Sequence, residues 1–412
     1  MIRDPDIMTG LLDSVRRFVR ERLVPAEEAV AETDAIPDDI VRDMKALGLF
    51  GLTIPESYGG LGLTMEEEAL VMFELCQTAP AFRSLIGTTV GIGSQGILID
   101  GTPEQKDRWL PALARGELIA SFALTEPESG SDAASIRTRA RRDGEHYVID
   151  GTKRFITNAP EAGMFTLMAR TSPDDEGTQA NVASPPGLDP LGGRTGASRA
   201  RGQSEGITAF IVDAKTPGIS LGRIDRKMGQ KGAHTCDVIF DGVRVPAANV
   251  IGGVEGRGFK TAMKVLDKGR IHIAAVCVGV AQRLLRDTLR YAMERKQFGQ
   301  PIAEFQLVQA MLADSRTELY AAQAMVLDAA RRRDAGEDVS TEAACCKYYA
   351  SEMVGRVADR AVQVHGGAGY VTDHGIERYY RDVRLFRIYE GTSQIQQIVI
   401  ARGMVKAAQA MQ

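Results

Sequence analysis

The chain has 412 residues, of which 44% are hydrophobic and 25% charged, with a net charge of -4. That length allows two or three domains or one large multilayer unit, with the composition of a globular protein. The mild acidity argues against nucleic acid or an anionic membrane surface as the main partner, and no run of about 20 apolar residues is available to span a bilayer.

The first residues, MIRDPDIMTGLLDSVRRFVRERLVP, are amphipathic and carry acids, so they read as a first helix rather than a secretory leader. Asp38-Asp39 predicts the start of another helix that stops at Gly48, and Ile54 to Gly60 is a turn-rich loop. Thr102-Pro103-Glu104-Gln105 has a capping-box pattern with Pro103 at the first helical position. Residues 1–120 are therefore expected to form an N-terminal helical domain.

The pattern changes near residue 120. Ser121 to Thr125 is short and apolar, and Met164–Arg170, Ile207–Val212 and Asp237–Phe240 read as strands. Asp150-Gly151, between two alternating runs, predicts a hairpin turn. A middle β domain is expected over 121–246. Inside it, residues 171–206 are rich in Gly, Pro and Ser and have no periodicity, so they are read as a long mobile loop.

Long amphipathic segments follow at about 259–296, 302–334 and 341–365. Ser340 is placed as an N-cap with Glu342 in the first turn, and Gly366-Gly367 ends the third helix. Residues 247–412 are expected to form a C-terminal helical domain, which completes an α, β, α order.

The five cysteines (Cys76, Cys236, Cys277, Cys345, Cys346) are odd in number and irregularly spaced, as expected of reduced thiols in a cytoplasmic compartment. The five histidines are scattered without metal-ligand spacing, so no metal site is expected.

Several segments carry polar chemistry that a core would not need. Ile388 to Gln396, IYEGTSQIQ, sets Glu390 beside Gly391 and among Thr392, Ser393 and Gln394. Glu390 is either a solvated glutamate at a helix cap or a general base with a pKa raised by burial. Phe122 to Asp132, FALTEPESGSD, is either an ordinary turn or a backbone-rich cradle for an anion or a polar ring edge. In ERKQFG at 294–299, Arg295 either complements a helix C-terminus or binds a phosphate. QVHGGAGY at 363–370 is a glycine-rich helix exit, not a strand followed by GxGxxG, which excludes a nicotinamide site of that kind. His365 reads as a packed or capping histidine. Gly269, in Asp267-Lys268-Gly269-Arg270, lies inside a helical pattern, where glycine costs about 1 kcal/mol relative to alanine; close packing or a ligand would explain it.

Taken together and in this order, TEPESGSD, RFITN at 154–158, ERKQFG, QVHGGAGY and IYEGTSQIQ resemble the motifs of the acyl-CoA dehydrogenase family. The resemblance covers nearly the whole chain apart from 171–206. It implies an α+β architecture, with an N-terminal helical domain, a middle β-barrel-like domain and a C-terminal four-helix bundle. It also implies FAD as cofactor, and oxidation of an acyl-CoA thioester to the trans-2-enoyl-CoA with hydride passing to the flavin N5. Electron-transferring flavoprotein would be the acceptor, and the assembly a homotetramer built as a dimer of dimers. Carried over by position, Glu390 is the base.

The same resemblance places Phe122, Leu124, Thr125 and Ser131 against the flavin, with Ser131 also near CoA, and Phe155 and Thr157 against the isoalloxazine. Arg295, Gln297, Phe298, Phe305 and Gln306 would hold the FAD of a neighbouring subunit, with Gln363, Gly366 and Gly367 completing that site. Thr392 and Gln394 would touch FAD beyond the base. Asp267, Arg270, Tyr389 and Gly391 would bind substrate, and Ser94 and Gln95 would lie near the acyl tail. Many relatives have tryptophan where Phe155 stands. Some place the base at the position of Gly269, where this chain has no side chain and local space is expected. The rival readings on this scaffold are a flavin oxidase and a catalytically silent acyl-CoA-binding protein.

Overall fold

The computed structural model describes residues 2–172 and 206–411. The body of the loop expected over 171–206, residues 173–205, lies outside the described residues.

The N-terminal part is helical because its caps and apolar faces agree. Helix α1 (Pro5–Phe18) starts behind Asp4, whose carboxylate accepts from the N–H groups of Asp6 and Ile7. It runs through a π turn into α2 (Val24–Thr33). Helix α3 (Asp38–Ala46) is followed by Gly48 at φ 70°, a left-handed stop that glycine adopts without strain. Helices α4 (Met65–Leu75), α5 (Pro80–Gly87), α6 (Gln95–Asp100) and α7 (Pro103–Ala114) follow. Between α5 and α6 the chain widens into a π turn, Thr88–Gly93. The capping box on α7 forms as its sequence predicts, with Thr102 N–H donating to Gln105 Oε1 at 3.0 Å.

The middle part is a sheet of seven strands: β1 (Ala120–Ala123), β2 (Arg139–Asp143), β3 (His146–Thr157), β4 (Met164–Arg170), β5 (Ile207–Asp213), β6 (Ile219–Leu221) and β7 (Thr235–Pro246). Their order is β1-β4-β2-β3-β7-β6, with β5 also pairing β4. The expected hairpin at Asp150-Gly151 does not form; β3 runs straight through it. The turn lies earlier, where Asp143 pairs with His146 and Gly144 takes φ 58°. Asp150 instead accepts from the Gly242 N–H at 2.7 Å, in the opposing strand. Gly151 packs so close to Thr138 that a Cβ would sit 2.5 Å from its Oγ1. A second irregularity matters more for function. The β3–β7 register shifts between Lys153 and Ile156, and Phe155 sits there at φ 57°. A bulge of this kind re-aims a side chain, and Phe155 is turned out of the sheet, 59% exposed.

The C-terminal part contains α8 (Gly258–Glu294), α9 (Gln306–Asp334), α10 (Ser340–His365) and α11 (Ser393–Ala410). Ser340 is not the N-cap of α10. That position is Val339, and Asp338 accepts from the Ser340 N–H at 3.1 Å. The middle of α8 is buried from Gly269 to Ala281, because helices of both the N- and C-terminal parts cover it. The N-terminal helices and the C-terminal bundle thus share one core, and the sheet has its own around Tyr147, Phe165 and Phe210. The fold is α+β, with helices at both ends of the chain and a sheet in the middle. Among the described residues no helix is long and apolar enough to cross a membrane, no group of His, Cys, Asp and Glu could hold a metal, and the five cysteines are free.

Candidate active site

Where the sheet meets the helical core there is a cleft of ≈ 360 Å³. Six pieces of chain build it: the end of β1 with the turn after it, the bulge of β3, the α5–π turn, the stretch from Lys227 to Thr235 leading into β7, the first turns of α8, and the segment before and into α11.

The turn after β1 is held by a buried carboxylate. Glu126 accepts from the Thr138 N–H at 2.9 Å, the Thr138 hydroxyl at 2.6 Å, and the Lys153 ammonium at 2.8 Å. Lys153 also donates to the Leu124 carbonyl at 3.0 Å. Burial alone would raise the Glu126 carboxyl, but Lys153 and the hydrogen bonds hold it below its ordinary value. The pair ties β1 to β3 and so fixes Phe122, Leu124, Thr125 and Ser131 on one wall and Phe155 and Thr157 on the next; all six line the cleft. The Arg154 guanidinium lies 5.0 Å from the Phe155 ring centre. Neither Glu126 nor Lys153 was singled out from sequence, although both lie inside or beside quoted motifs.

Glu390 enters from the opposite side. It takes φ 51° and Gly391 φ 85°. Two left-handed residues in a row turn the carboxyl inward, a conformation that persists only when its surroundings fix it. Three side chains do so here, through four hydrogen bonds. Lys347, buried on α10, donates to the Gly391 carbonyl at 2.5 Å. Gln396 donates to the Glu390 and Gly391 carbonyls at 3.2 and 3.1 Å. Thr392 caps α11, accepting from the Ile395 N–H at 3.2 Å.

Glu390 keeps some exposure to the cleft, while its Oε2 is sealed and has no hydrogen-bond partner among the described residues. Burial pushes the carboxyl above the ordinary carboxylate range, against the opposing fields of Arg83, Lys347 and Arg270. The space expected beside Gly269 is not empty: the Glu390 carboxyl occupies it, and a Cβ there would overlap Oε2.

Other expected residues divide into three groups. Arg270, Tyr389 and Gly391 line the cleft. Asp267 lies outside it, ion-paired with Arg270. Ser94 and Gln95, expected near the acyl tail, lie outside it too, bonded into their own π turn through the Thr89 and Val90 carbonyls. Thr392 and Gln394 also lie off the cleft, the first as a cap and the second exposed. Arg295, Gln297 and Phe298 belong to a small projecting hairpin after α8, where Phe298 is 94% exposed and its ring meets Phe305. Gln306, Gln363, Gly366 and Gly367 are exposed as well. The Tyr291 ring stacks on His365 at 4.1 Å, so the ends of α8 and α10 adjoin and these residues gather at one end of the bundle. They are not part of the cleft within one chain.

Sequence reading missed Arg83, on α5. It is 5% exposed and lines the cleft. Its Nε donates to His272 Nε2 at 2.9 Å, and His272 Nδ1 bonds to Glu68 Oε1 at 2.6 Å. Burial and then the field of Arg83 pull His272 down to about 4. Glu68 is held at about 2, because Lys268 and His272 outweigh its burial. The faint sequence signal was glycine at 87 and 91, one and two helical turns beyond Arg83.

The chain matches three family models: "Acyl-CoA dehydrogenase, N-terminal domain" over residues 9–117, "middle domain" over 121–188, and "C-terminal domain" over 256–405. It is 38% identical over 391 residues to a 3-(aryl)acrylate reductase of Clostridium sporogenes, covering 95% of this chain and 96% of that protein. It is 38% identical over 379 residues to a subunit of the caffeyl-CoA reductase-Etf complex of Acetobacterium woodii, covering 92% of this chain and 93% of the other. The solved structure of butyryl-CoA dehydrogenase from Megasphaera elsdenii superposes with TM-score 0.88 at 31% identity, over 98% of this chain and all (100%) of that one.

Proposed function

The chain belongs to the acyl-CoA dehydrogenase family, FAD-dependent oxidoreductases acting on acyl-CoA, and we propose that it converts an acyl-CoA thioester to the trans-2-enoyl-CoA with Glu390 as general base. The observation that carries this is the Glu390 carboxyl, aimed into the cleft with a sealed and unpartnered Oε2.

The cleft fits the cofactor. The Thr125 and Thr157 side chains face it, and Phe155 is turned out of its strand toward it. Thr125, Phe155 and Thr157 would hold the flavin ring, with Ser131 beside it. Bound FAD supplies the acceptor for the hydride that leaves the β-carbon.

The chain's own residues do the rest. A thioester α-proton is far less acidic than a carboxyl group, so it can leave only as charge on the carbonyl oxygen is stabilised. The Glu390 and Gly391 N–H groups donate to no acceptor among the described residues and would serve that oxygen. Glu390 Oε2 takes the proton as the α C–H bond breaks and the double bond forms. Sealing of Oε2 raises the carboxyl pKa and keeps water from competing. Lys347 and Gln396 fix the turn on which base and N–H groups sit.

The names of two relatives favour a second reading, reduction of the enoyl-CoA at the same residues. A carboxyl with a raised pKa is as suited to giving the α-proton as to taking it. Electron-transferring flavoprotein is the proposed redox partner, by analogy with the Etf complex of the Acetobacterium relative. The projecting hairpin and the exposed end of α10 would complete the FAD site of a second subunit, in a homotetramer. Anaerobic titration of the yellow protein with acyl-CoA thioesters tests the assignment: bleaching by some member of a panel is expected, and a flavin that none of them bleaches ends it.

A further inference from the structure

Of the buried cations around the cleft, Arg83 and Lys347 have no acid within ion-pairing distance among the described residues, and Lys347 donates its ammonium to the Gly391 carbonyl. Lys153 is paired with Glu126, Arg270 with Asp267, Arg283 with Glu27 and Lys268 with Glu68. The bonded partner of Arg83 is His272, which accepts at Nε2 through a neutral ring. The charge of Glu68 behind that ring is matched by Lys268. The positive charge of Arg83 therefore has no ion pair among the described residues; the cleft acid that feels it is Glu390, whose carboxyl burial keeps above its ordinary range, so an anion arriving at the guanidinium would be stabilised.

The guanidinium is also aimed. Its Nε is engaged by His272, which fixes the plane of the fork, while the terminal nitrogens have no partner among the described residues and the residue lines the cleft. Glycines make the room. A Cβ at Gly87 would lie 2.7 Å from Arg83 Cζ, and one at Gly91 3.8 Å from a terminal nitrogen. The position is on the core side of the cleft, since its bonded partner His272 lies in the fully buried stretch of α8. The Tyr389 hydroxyl is sealed there without a partner. A planar fork of donors with fixed orientation matches a carboxylate bidentately.

We propose that the acyl chain of the substrate ends in a second carboxylate, and that Arg83 receives it on the core side of the cleft. This rests on the placement of the thioester beside Glu390. The substrate class is a CoA thioester of a dicarboxylic acid. Arg83 selects it through a bidentate ion pair that a plain acyl chain cannot make.

The test compares thioesters of equal chain length: glutaryl-CoA with pentanoyl-CoA, and adipoyl-CoA with hexanoyl-CoA. The readout is kcat/KM for anaerobic flavin reduction in the wild type, Arg83→Met and Arg83→Lys. The wild type is expected to prefer the carboxylated member of at least one pair. Arg83→Met is expected to lower that preference roughly 100-fold, mainly through KM, and Arg83→Lys to restore part of it. Because the preference is a ratio, general damage to the enzyme cancels. Equal losses on both members of each pair, with the ratio moved by less than about threefold, would assign Arg83 to Glu390 or to the fold and overturn the proposal. So would a wild type that prefers the plain member of both pairs. A flavin bleached by none of the four thioesters but by another acyl-CoA of the panel overturns this inference alone, whereas one bleached by no acyl-CoA removes the dehydrogenase reading with it.

Discussion

Gly269 and Glu390 compete for one volume. A Cβ on residue 269 would overlap Glu390 Oε2 and lie 3.4 Å from its Cδ. Gly269→Ala should therefore separate stability from activity. In a helix interior alanine is favoured over glycine by about 1 kcal/mol, so Tm should hold or rise unless the collision offsets it. Flavin reduction should slow at least ~100-fold, since displacing a base by about 1 Å has that effect. Stopped-flow bleaching alongside thermal melts checks both.

Glu390→Gln keeps the shape of the turn and should keep bound FAD. Its turnover should fall by several orders of magnitude, roughly 4 kcal/mol or more in the barrier. Flavin reduction at the wild-type rate would remove Glu390 from the mechanism.

The pH dependence has opposite signs for stability and for rate. Burial raises Glu390 in the folded state. The stability this group lends is fully present below its unfolded pKa and is lost as pH rises through the raised folded value. Proton abstraction needs the ionised form, so flavin reduction should rise through the same window, with its acid limb above the ordinary carboxylate range. In Glu390→Gln that limb should vanish, and Tm at neutral pH should equal or exceed the wild type.

Lys347→Met removes the donor to the Gly391 carbonyl and an ammonium that burial has already pulled down to about 8. An apolar chain of similar volume in place of a buried charge is often neutral for stability. Little change in Tm is expected, with flavin reduction slowed roughly 10- to 100-fold as the turn carrying Glu390 loosens. Unchanged rates would leave Gln396 and Thr392 sufficient to hold it.

Arg295→Ala alters an exposed residue at the projecting end of the bundle. If that end holds the FAD diphosphate of a neighbouring subunit, FAD affinity should fall about 10- to 100-fold, the worth of a charge-assisted hydrogen bond. The oligomer should also weaken. FAD retained through gel filtration, and the elution volume, measure both.

Much of the helical framework was legible in the sequence. Helices α8 to α10 are long and periodic, and their ends carry local signals such as Gly366. The Asp150-Gly151 pair misled because its turn chemistry is local, whereas the contacts that keep it extended come from Gly242 and Thr138. Half of the site was legible for the same reason: Glu390, Thr125, Ser131 and Phe155 sit in compact motifs. Arg83 was not, because its one partner is 189 residues away. Lys347 had a signal that went unused, since it interrupts the apolar stripe of Ala343, Ala344, Ala350 and Val354.

Lys153 is fully sealed and Glu126 nearly so, with their charges 2.8 Å apart. Losing either partner alone strands the other's charge in the interior, at about 3–5 kcal/mol, and exchanging both for apolar residues would still orphan the Thr138 N–H and hydroxyl and the Leu124 carbonyl. These two positions, 27 apart along the chain, therefore cannot drift independently, and an engineer redesigning this wall must treat them as one unit.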